Sequence, residues 1–294
     1  MKTNTFAALT AVAVCLVLYL FLPNRPTGSM GRGKSPESVY QTIRARKVIK
    51  AAYAVGAPLF VIDPNTKQMS GIFYDVVQGA AKKLGLEVSW TDEVGYGEMI
   101  QGLDAHRYDI VGSGVWINGA RGKDADFTIP VYYDSVFAYT RKDDTRFDND
   151  RSLLNSPAYI ISTMDGELAA SIAATDFPQA RTSALPQSTD FTQMILNVVN
   201  HKADVVFLAL APAELYKVQN PGSIRVIPWD RPLRVFPVAI LLPKGSYELK
   251  QSFDYALIEM LTNGEVEAIL KKYEKVANSF TRTAPPYLTT ETRR

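Results

Sequence analysis

Asp109-Ile110-Val111-Gly112-Ser113-Gly114-Val115-Trp116-Ile117-Asn118-Gly119-Ala120-Arg121, followed shortly by Asp126-Phe127-Thr128-Ile129-Pro130-Val131-Tyr132-Tyr133, is the stretch on which the reading of this chain turns. Asp109 to Gly112 reads as a short buried strand, an apolar run opened by a charge. The Ser/Gly and Asn/Gly positions after it are turn formers. Just upstream, Tyr96 to Leu103 is predicted as a short helix, and Leu86 to Trp90 alternates as a strand. Before that, Asp75 to Leu84 places Val76, Val77, Ala80, Ala81 and Leu84 at helical spacing, closed by Gly85. Val48 to Tyr53 is predicted as the first strand, and Leu59 to Gly71 as a hairpin around Asp63-Pro64-Asn65. Strands alternating with helices imply an α/β fold with an open, mainly parallel sheet. Ligands of such sheets sit beyond the carboxyl ends of the strands.

The pattern recurs downstream. Ala158 to Ile161 and Ala203 to Phe207 read as strands, Glu167 to Ala174 and Thr189 to Val199 as helices. Leu103-Asp-Ala-His106-Arg-Tyr-Asp109-Ile-Val111 matches Val198-Val-Asn-His201-Lys-Ala-Asp204-Val-Val206 in layout: helix end, His, base, spacer, Asp, strand. The chain's two histidines thus occupy equivalent places in two similar units. Each is expected to end a helix, where a left-handed turn or a cation is favourable.

Composition narrows the function. The chain has 294 residues, 47% hydrophobic, with 32 basic and 30 acidic groups and one cysteine. Four of the bases (Lys2, Arg25, Arg32, Lys34) lie in residues 1–34, which hold no acid, so the remainder carries 28 bases against 30 acids. No polyanion-binding surface follows from that balance, and nucleic acid is not an expected partner. Phe6 to Leu22 is an apolar stretch of 17 residues containing the sole cysteine, Cys15, with Lys2 before it and Pro23-Asn24-Arg25-Pro26 after it. That is the layout of an export signal, either cleaved or retained as an anchor, and it places the body outside the cytoplasm. With no cysteine in the body, disulfides, Cys-rich zinc sites and thiol catalysis drop out. Phosphate-loop, dinucleotide and Gly-x-Ser-x-Gly motifs are absent.

The opening segments resemble those of the extracytoplasmic solute-binding proteins of family 3, the amino-acid ABC transporter type. Gly71-Ile72-Phe73-Tyr74-Asp75 matches the family's Gly-Phe-x-x-Asp helix start, and the Asp204 strand its second-lobe segment. The likeness spans residues 46–275. It implies a two-lobed clamp of periplasmic-binding-protein type 2. Lobe one would comprise 35–140 and 235–275 and lobe two 141–234, with 1–34 an address and linker and 276–294 an extension. Two crossovers are expected, near Tyr139–Lys142 and Leu233–Pro237. A monomer that holds a small carboxylate solute, needs no cofactor and docks on an inner-membrane ABC permease is the expected function. No catalytic or metal-binding residue is assigned.

The resemblance also implies site residues. Arg121 would fork onto the ligand carboxylate, a geometry for which a guanidinium is suited. Ser113 and Gly114 would assist from the preceding turn, with Trp116 and Asn118 where the family has hydroxyl residues. Tyr96 would line the pocket, and Tyr53 could replace an aromatic lid where Gly56-Ala57-Pro58 now stands. The family's lobe-two Asp that pairs an α-ammonium corresponds here to Ala209. Its charge could instead come from Asp165 or Glu167, in the turn Asp165-Gly166-Glu167, although Asp165 also reads as a helix cap. A cleft carboxylate leaves open a dehydratase-like enzyme of the same fold. A membrane-tethered sensor is a further alternative. The cluster Asp143, Asp144, Asp148 and Asp150, interleaved with arginines, reads as a solvated connector.

Overall fold

A computed structural model describes residues 38–187 and 189–283. The expected address segment, with Phe6–Leu22 and Cys15, lies outside them. Among the described residues no helix is long and apolar enough to cross a membrane.

The chain opens with α1 (Val39–Arg46), capped by Ser38, which accepts from the Gln41 amide. Strand β1 (Val48–Tyr53), the short hairpin β2 (Val61–Ile62) and β3 (Met69–Ser70), helix α2 (Ile72–Lys83) and β4 (Glu87–Glu93) follow. Next come α3 (Met99–Asp104), β5 (Ile110–Trp116), a single turn Arg121–Lys123, β6 (Ala125–Phe127) and the long β7 (Tyr132–Arg141). The second unit holds β8 (Ile160–Met164), α4 (Leu168–Asp176), β9 (Arg181–Leu185), α5 (Phe191–Val199), β10 (Val205–Ala209), α6 (Leu210–Gln219) and β11 (Ile224–Val226). The long β12 (Arg234–Pro243) then returns to the first half, where α7 (Tyr247–Thr262) and α8 (Glu265–Tyr273) pack on α2, and β13 (Thr281–Arg282) is the last described element.

The main sheet runs β4-β1-β5-β12-β7-β10-β8-β9. Within each half three strands are parallel, and the antiparallel pair β12 and β7 joins the halves. The order is therefore symmetric about its centre, with β1 matching β8, β4 matching β9 and β5 matching β10. Tyr132 and Tyr133 of β7 pair with β13, whereas Val136 to Tyr139 pair with β10. The change of partner falls at Asp134–Val136, ahead of the expected Tyr139–Lys142. On β12, Arg234 to Val238 pair with β7 along one edge, and from Val238 onward the other edge pairs with β5.

The internal repeat is physical. His106 and His201 both adopt left-handed backbone, φ 54° and 59°, at the ends of α3 and α5. Each lets the next amide turn back, Arg107 to the Gly102 carbonyl and Lys202 to that of Asn197. The aspartates that follow do the same work twice. The Asp109 carboxylate accepts from the Lys50 amide at 2.6 Å and pairs with Arg46, while Asp204 accepts from the Ile160 amide at 2.9 Å and pairs with Arg146 at 2.7 Å. Each pins the start of one strand to its parallel neighbour, where the ladder alone would leave an amide unpartnered.

Two expectations change. Asp144 is buried and bonded to Thr140, Arg141 and Arg146, and Asp148 pairs with Arg225, so the acidic connector is an ion-pair network rather than a solvated loop. Residues 276–283 are not a free extension: Phe280 is in the core, Thr281 and Arg282 pair with β7, and Arg282 bridges Glu267 and Glu274. The remainder of the expected extension lies outside the described residues.

Because each aspartate makes charge-assisted bonds to a backbone amide and an arginine, Asp109→Ala and Asp204→Ala should each cost about 1.5–3 kcal/mol. Thermal melts should show similar drops for the two variants. A loss in only one would contradict their equivalence.

Candidate functional site

At the carboxyl end of β5, Gly114 and Trp116 face a cavity between the halves. A Cβ on Gly114 would stand 2.5 Å from the Phe73 ring, so the strand needs glycine there to pack against α2. After Trp116 the chain turns sharply, and Asn118 braces the turn: its Oδ1 accepts from the Arg121 amide and its Nδ2 donates to the Trp116 carbonyl. The turn aims Arg121 into the cavity wall. The guanidinium donates through Nη2 to the Gly166 carbonyl at 3.0 Å and lies 5.9 Å from the Tyr96 ring centre.

Gly166, before α4, has φ +76°, and a Cβ there would come within 2.7 Å of the Gly97 amide nitrogen. Only a glycine lets the two sides approach so closely. Gln187 ties the same edge, accepting from the Gly97 amide and donating to Glu98. The cleft is thus closed along this lip. What remains open is a small cavity of about 40 Å³. Its walls are largely apolar and aromatic, with Tyr96, Trp116 and Tyr132 on one side and Phe191, Met194 and Ala209 on the other. Arg121, Glu167 and Asp134 are its charged members.

Glu167 is the cap of α4, its Oε2 accepting from the Ala169 amide at 2.6 Å. Burial pushes its carboxyl up to about 7, against the pull of the Ala169 amide and of Arg121. Burial likewise lowers the Arg121 guanidinium, which Tyr96 and Glu167 offset. Asp134 is 3% exposed and accepts from the Trp116 indole at 2.8 Å. Burial raises its carboxyl to about 7, opposed by that one bond. The Tyr96 hydroxyl is shifted upward by burial, then by Glu167.

Arg121, Gly114, Trp116, Tyr96 and Glu167 therefore meet at one cavity, with Gly166 at its rim. The other expected residues stand elsewhere. The Ser113 hydroxyl is fully buried, accepting from the Ala54 amide at 2.7 Å and donating to its carbonyl, and so ties β5 to the end of β1. Asn118 shapes the turn without lining the cavity. Tyr53 stacks on Phe60 at 4.7 Å and meets Trp90 edge-on, behind β1. Phe191 from α5 fills the place beside Gly56 instead, and lies 6.0 Å from Tyr96. Asp165 is exposed and does not cap α4; the helix begins two residues later than that reading needs.

Asp134 and Tyr132 escaped the sequence reading, although Tyr132 lies in the decisive stretch and Asp134 stands just beyond it. The signal was the two-residue period: on β7 they share the face that carries Val136 and Ala138, all four buried. An acid at a core position of an alternating strand is rarely idle.

Residues 49–276 match the family described as bacterial extracellular solute-binding proteins, family 3. The chain belongs to that family. The amino-acid-binding protein AabA of Dichelobacter nodosus is 23% identical over 208 residues, 69% of this chain and 79% of that protein. Among solved structures, the ancestral amino acid-binding protein AncCDT-1, a precursor of cyclohexadienyl dehydratase, superposes with a TM-score of 0.72 at 22% identity, covering 81% of this chain and 100% of that one. An amino acid ABC transporter substrate-binding protein of Streptococcus pneumoniae, bound to L-arginine, gives 0.69 at 21% identity, covering 83% and 99%. These likenesses establish the type 2 periplasmic-binding-protein fold. The relatives with which this solute-binding chain compares are mostly binding proteins.

The two raised carboxyls fix a pH dependence. Each holds its proton in the folded state up to about pH 7, whereas in the unfolded chain it ionises near its ordinary value of 3.8 or 4.5. Their contribution to stability is present in full below the unfolded values and is lost as pH rises through 7. The melting temperature of the unliganded protein should fall between about pH 5 and pH 8. In the Asp134→Asn, Glu167→Gln double variant the profile should flatten; an unchanged slope would contradict the assignment.

Proposed function

We propose that this chain is a receptor of the extracytoplasmic space, acting as a monomer, that closes its lobes on a small carboxylate-bearing solute and delivers it to an ABC permease of the inner membrane. The observation that carries this reading is the Arg121 guanidinium, a fixed cation in a mainly apolar, partly open cavity. Its Nη2 rests on a neutral carbonyl, that of Gly166. A carboxylate makes the stronger, charge-assisted and bidentate bond, so it displaces that contact. Gly114 offers bare backbone beside it, while Tyr96 and Trp116 supply flat walls for the solute's carbon frame. The narrow space favours a compact solute. The amino-acid-binding relatives, one of them seen with L-arginine, support an amino-acid-like ligand.

The test is a thermal-shift screen of the full chain against amino acids, carboxylates, amines and aromatic acids, because a ligand that binds only the folded state raises the melting temperature. Compounds with a carboxylate should stabilise the protein. Arg121→Ala should abolish those shifts and leave the unliganded fold intact; a variant that keeps them would refute the clamp.

One observation favours a second reading. Glu167 is buried at the cavity, with its carboxyl near 7, and a group so placed can act as a general acid. The chain would then be a dehydratase of the same fold. Incubation with prephenate or arogenate decides between them: the receptor reading expects no product above the uncatalysed rate. Product formation that Glu167→Gln abolishes would establish the enzyme.

A further inference from the structure

We propose that Asp134, on the strand that crosses between the lobes, is the counter-charge for a cationic group of the solute. This rests on the reading of Arg121 as the carboxylate clamp.

The place in lobe two where the family's ammonium-pairing acid is expected holds Ala209, which lines the cavity with a methyl group. The two remaining acids of the cavity are differently employed. Glu167 is committed to the Ala169 amide and faces the charge of Arg121. Asp134 has one partner, the Trp116 indole on Oδ2, and among the described residues no Lys, Arg or His lies within ion-pair distance of it. Two positions back on the same face of β7, the Tyr132 hydroxyl lines the same cavity, is fully buried and has no hydrogen-bond partner. A buried carboxyl with one partner and a buried hydroxyl with none, on one face of β7, describe acceptors awaiting a donor.

The groups facing Asp134 are Trp116 from β5, Tyr132 from its own strand, Tyr96 from the loop before α3, and Glu167 and Arg121 across the cavity. Its one hydrogen-bond partner, the Trp116 indole, brings it no positive charge, and burial then favours the protonated carboxyl. An ammonium reverses the balance. It donates to the Asp134 carboxylate and to the Tyr132 oxygen, and the carboxyl proton leaves to the buffer. Arg121 meanwhile holds the solute's other end. Binding of such a zwitterion is therefore coupled to proton release, whereas binding of a plain acid is not.

The test uses the full chain and matched probes: standard L-amino acids and 4-aminobutanoate, each against the acid lacking its amino group (3-phenylpropanoate for L-phenylalanine, butanoate for 4-aminobutanoate). At least one amino-bearing member should shift the melting temperature more than its partner. Asp134→Asn keeps an acceptor for Trp116 and should cut affinity for that member by roughly ten- to a hundredfold, leaving its partner's unchanged. Calorimetry of the wild type near pH 6, in two buffers of different ionisation enthalpy, should show proton release with the amino-bearing probe alone. This last measurement stands even if the variant fails to fold. Equal shifts within every pair, an Asp134→Asn variant with wild-type discrimination, or no proton release would overturn the proposal. Arg121→Ala separates the two readings: if it loses both probe classes while Asp134→Asn loses neither, only this inference falls. If no probe of either class binds the wild type, both fall.

Discussion

A guanidinium kept inside a nearly closed, largely apolar cleft sets the conditions for everything around it. Such a charge is costly to bury unless acceptors meet it. Here the Gly166 and Trp116 carbonyls and the face of Tyr96 do so, with the charge of Glu167 acting from farther off, and the two carbonyls come from opposite sides of the cleft. Each is a weak or divided partner: a neutral carbonyl, a ring nearly 6 Å away, an acid already capping a helix. Under the proposed reading of Arg121 as a carboxylate clamp, the closed cleft is held by contacts that a better anion replaces. That relation between closure and unsatisfied charge is what a capture device requires.

The scaffold supplies the precision. A sheet symmetric about β12 and β7 gives each half the same parallel trio, pinned by equivalent aspartates at 109 and 204. The strands that join the halves also carry the site: β7 brings Tyr132 and Asp134 to the cavity, and Phe236 of β12 stacks under Trp116 at 4.7 Å. A group placed on a crossing strand belongs to neither lobe. Its position is set by the hinge ladder rather than by the degree of closure, whereas the contact of Arg121 with Gly166 exists only when the lobes meet.

Much of this was legible in the sequence, for physical reasons. Apolar runs opened by Asp109 and Asp204 gave the central strands, and the matched histidines gave the repeat, because a helix must end in a turn that few residues adopt. Arg121 was legible through the resemblance, which implies an arginine in the turn after the central strand. Less was visible where function depended on side-chain direction. Ser113 stands beside Gly114, but alternation turns its hydroxyl toward Ala54. Asp165 and Glu167 compete for one helix cap, and the winner is set by where α4 begins, which sequence places only within a residue or two. Tyr53 was assigned by vacancy, since nothing in the sequence tells that Phe191 approaches Gly56 from the other half. Asp134 was missed because the quoted motif ended just before it.

The most direct measurement of the central claim is a crystal structure of the full chain grown with a carboxylate that stabilises it in solution. The account predicts the ligand inside the cavity with its carboxylate oxygens within hydrogen-bond distance of the Arg121 guanidinium, and the Gly166 carbonyl released. A ligand bound with its carboxylate elsewhere, and Arg121 still resting on Gly166, would contradict it.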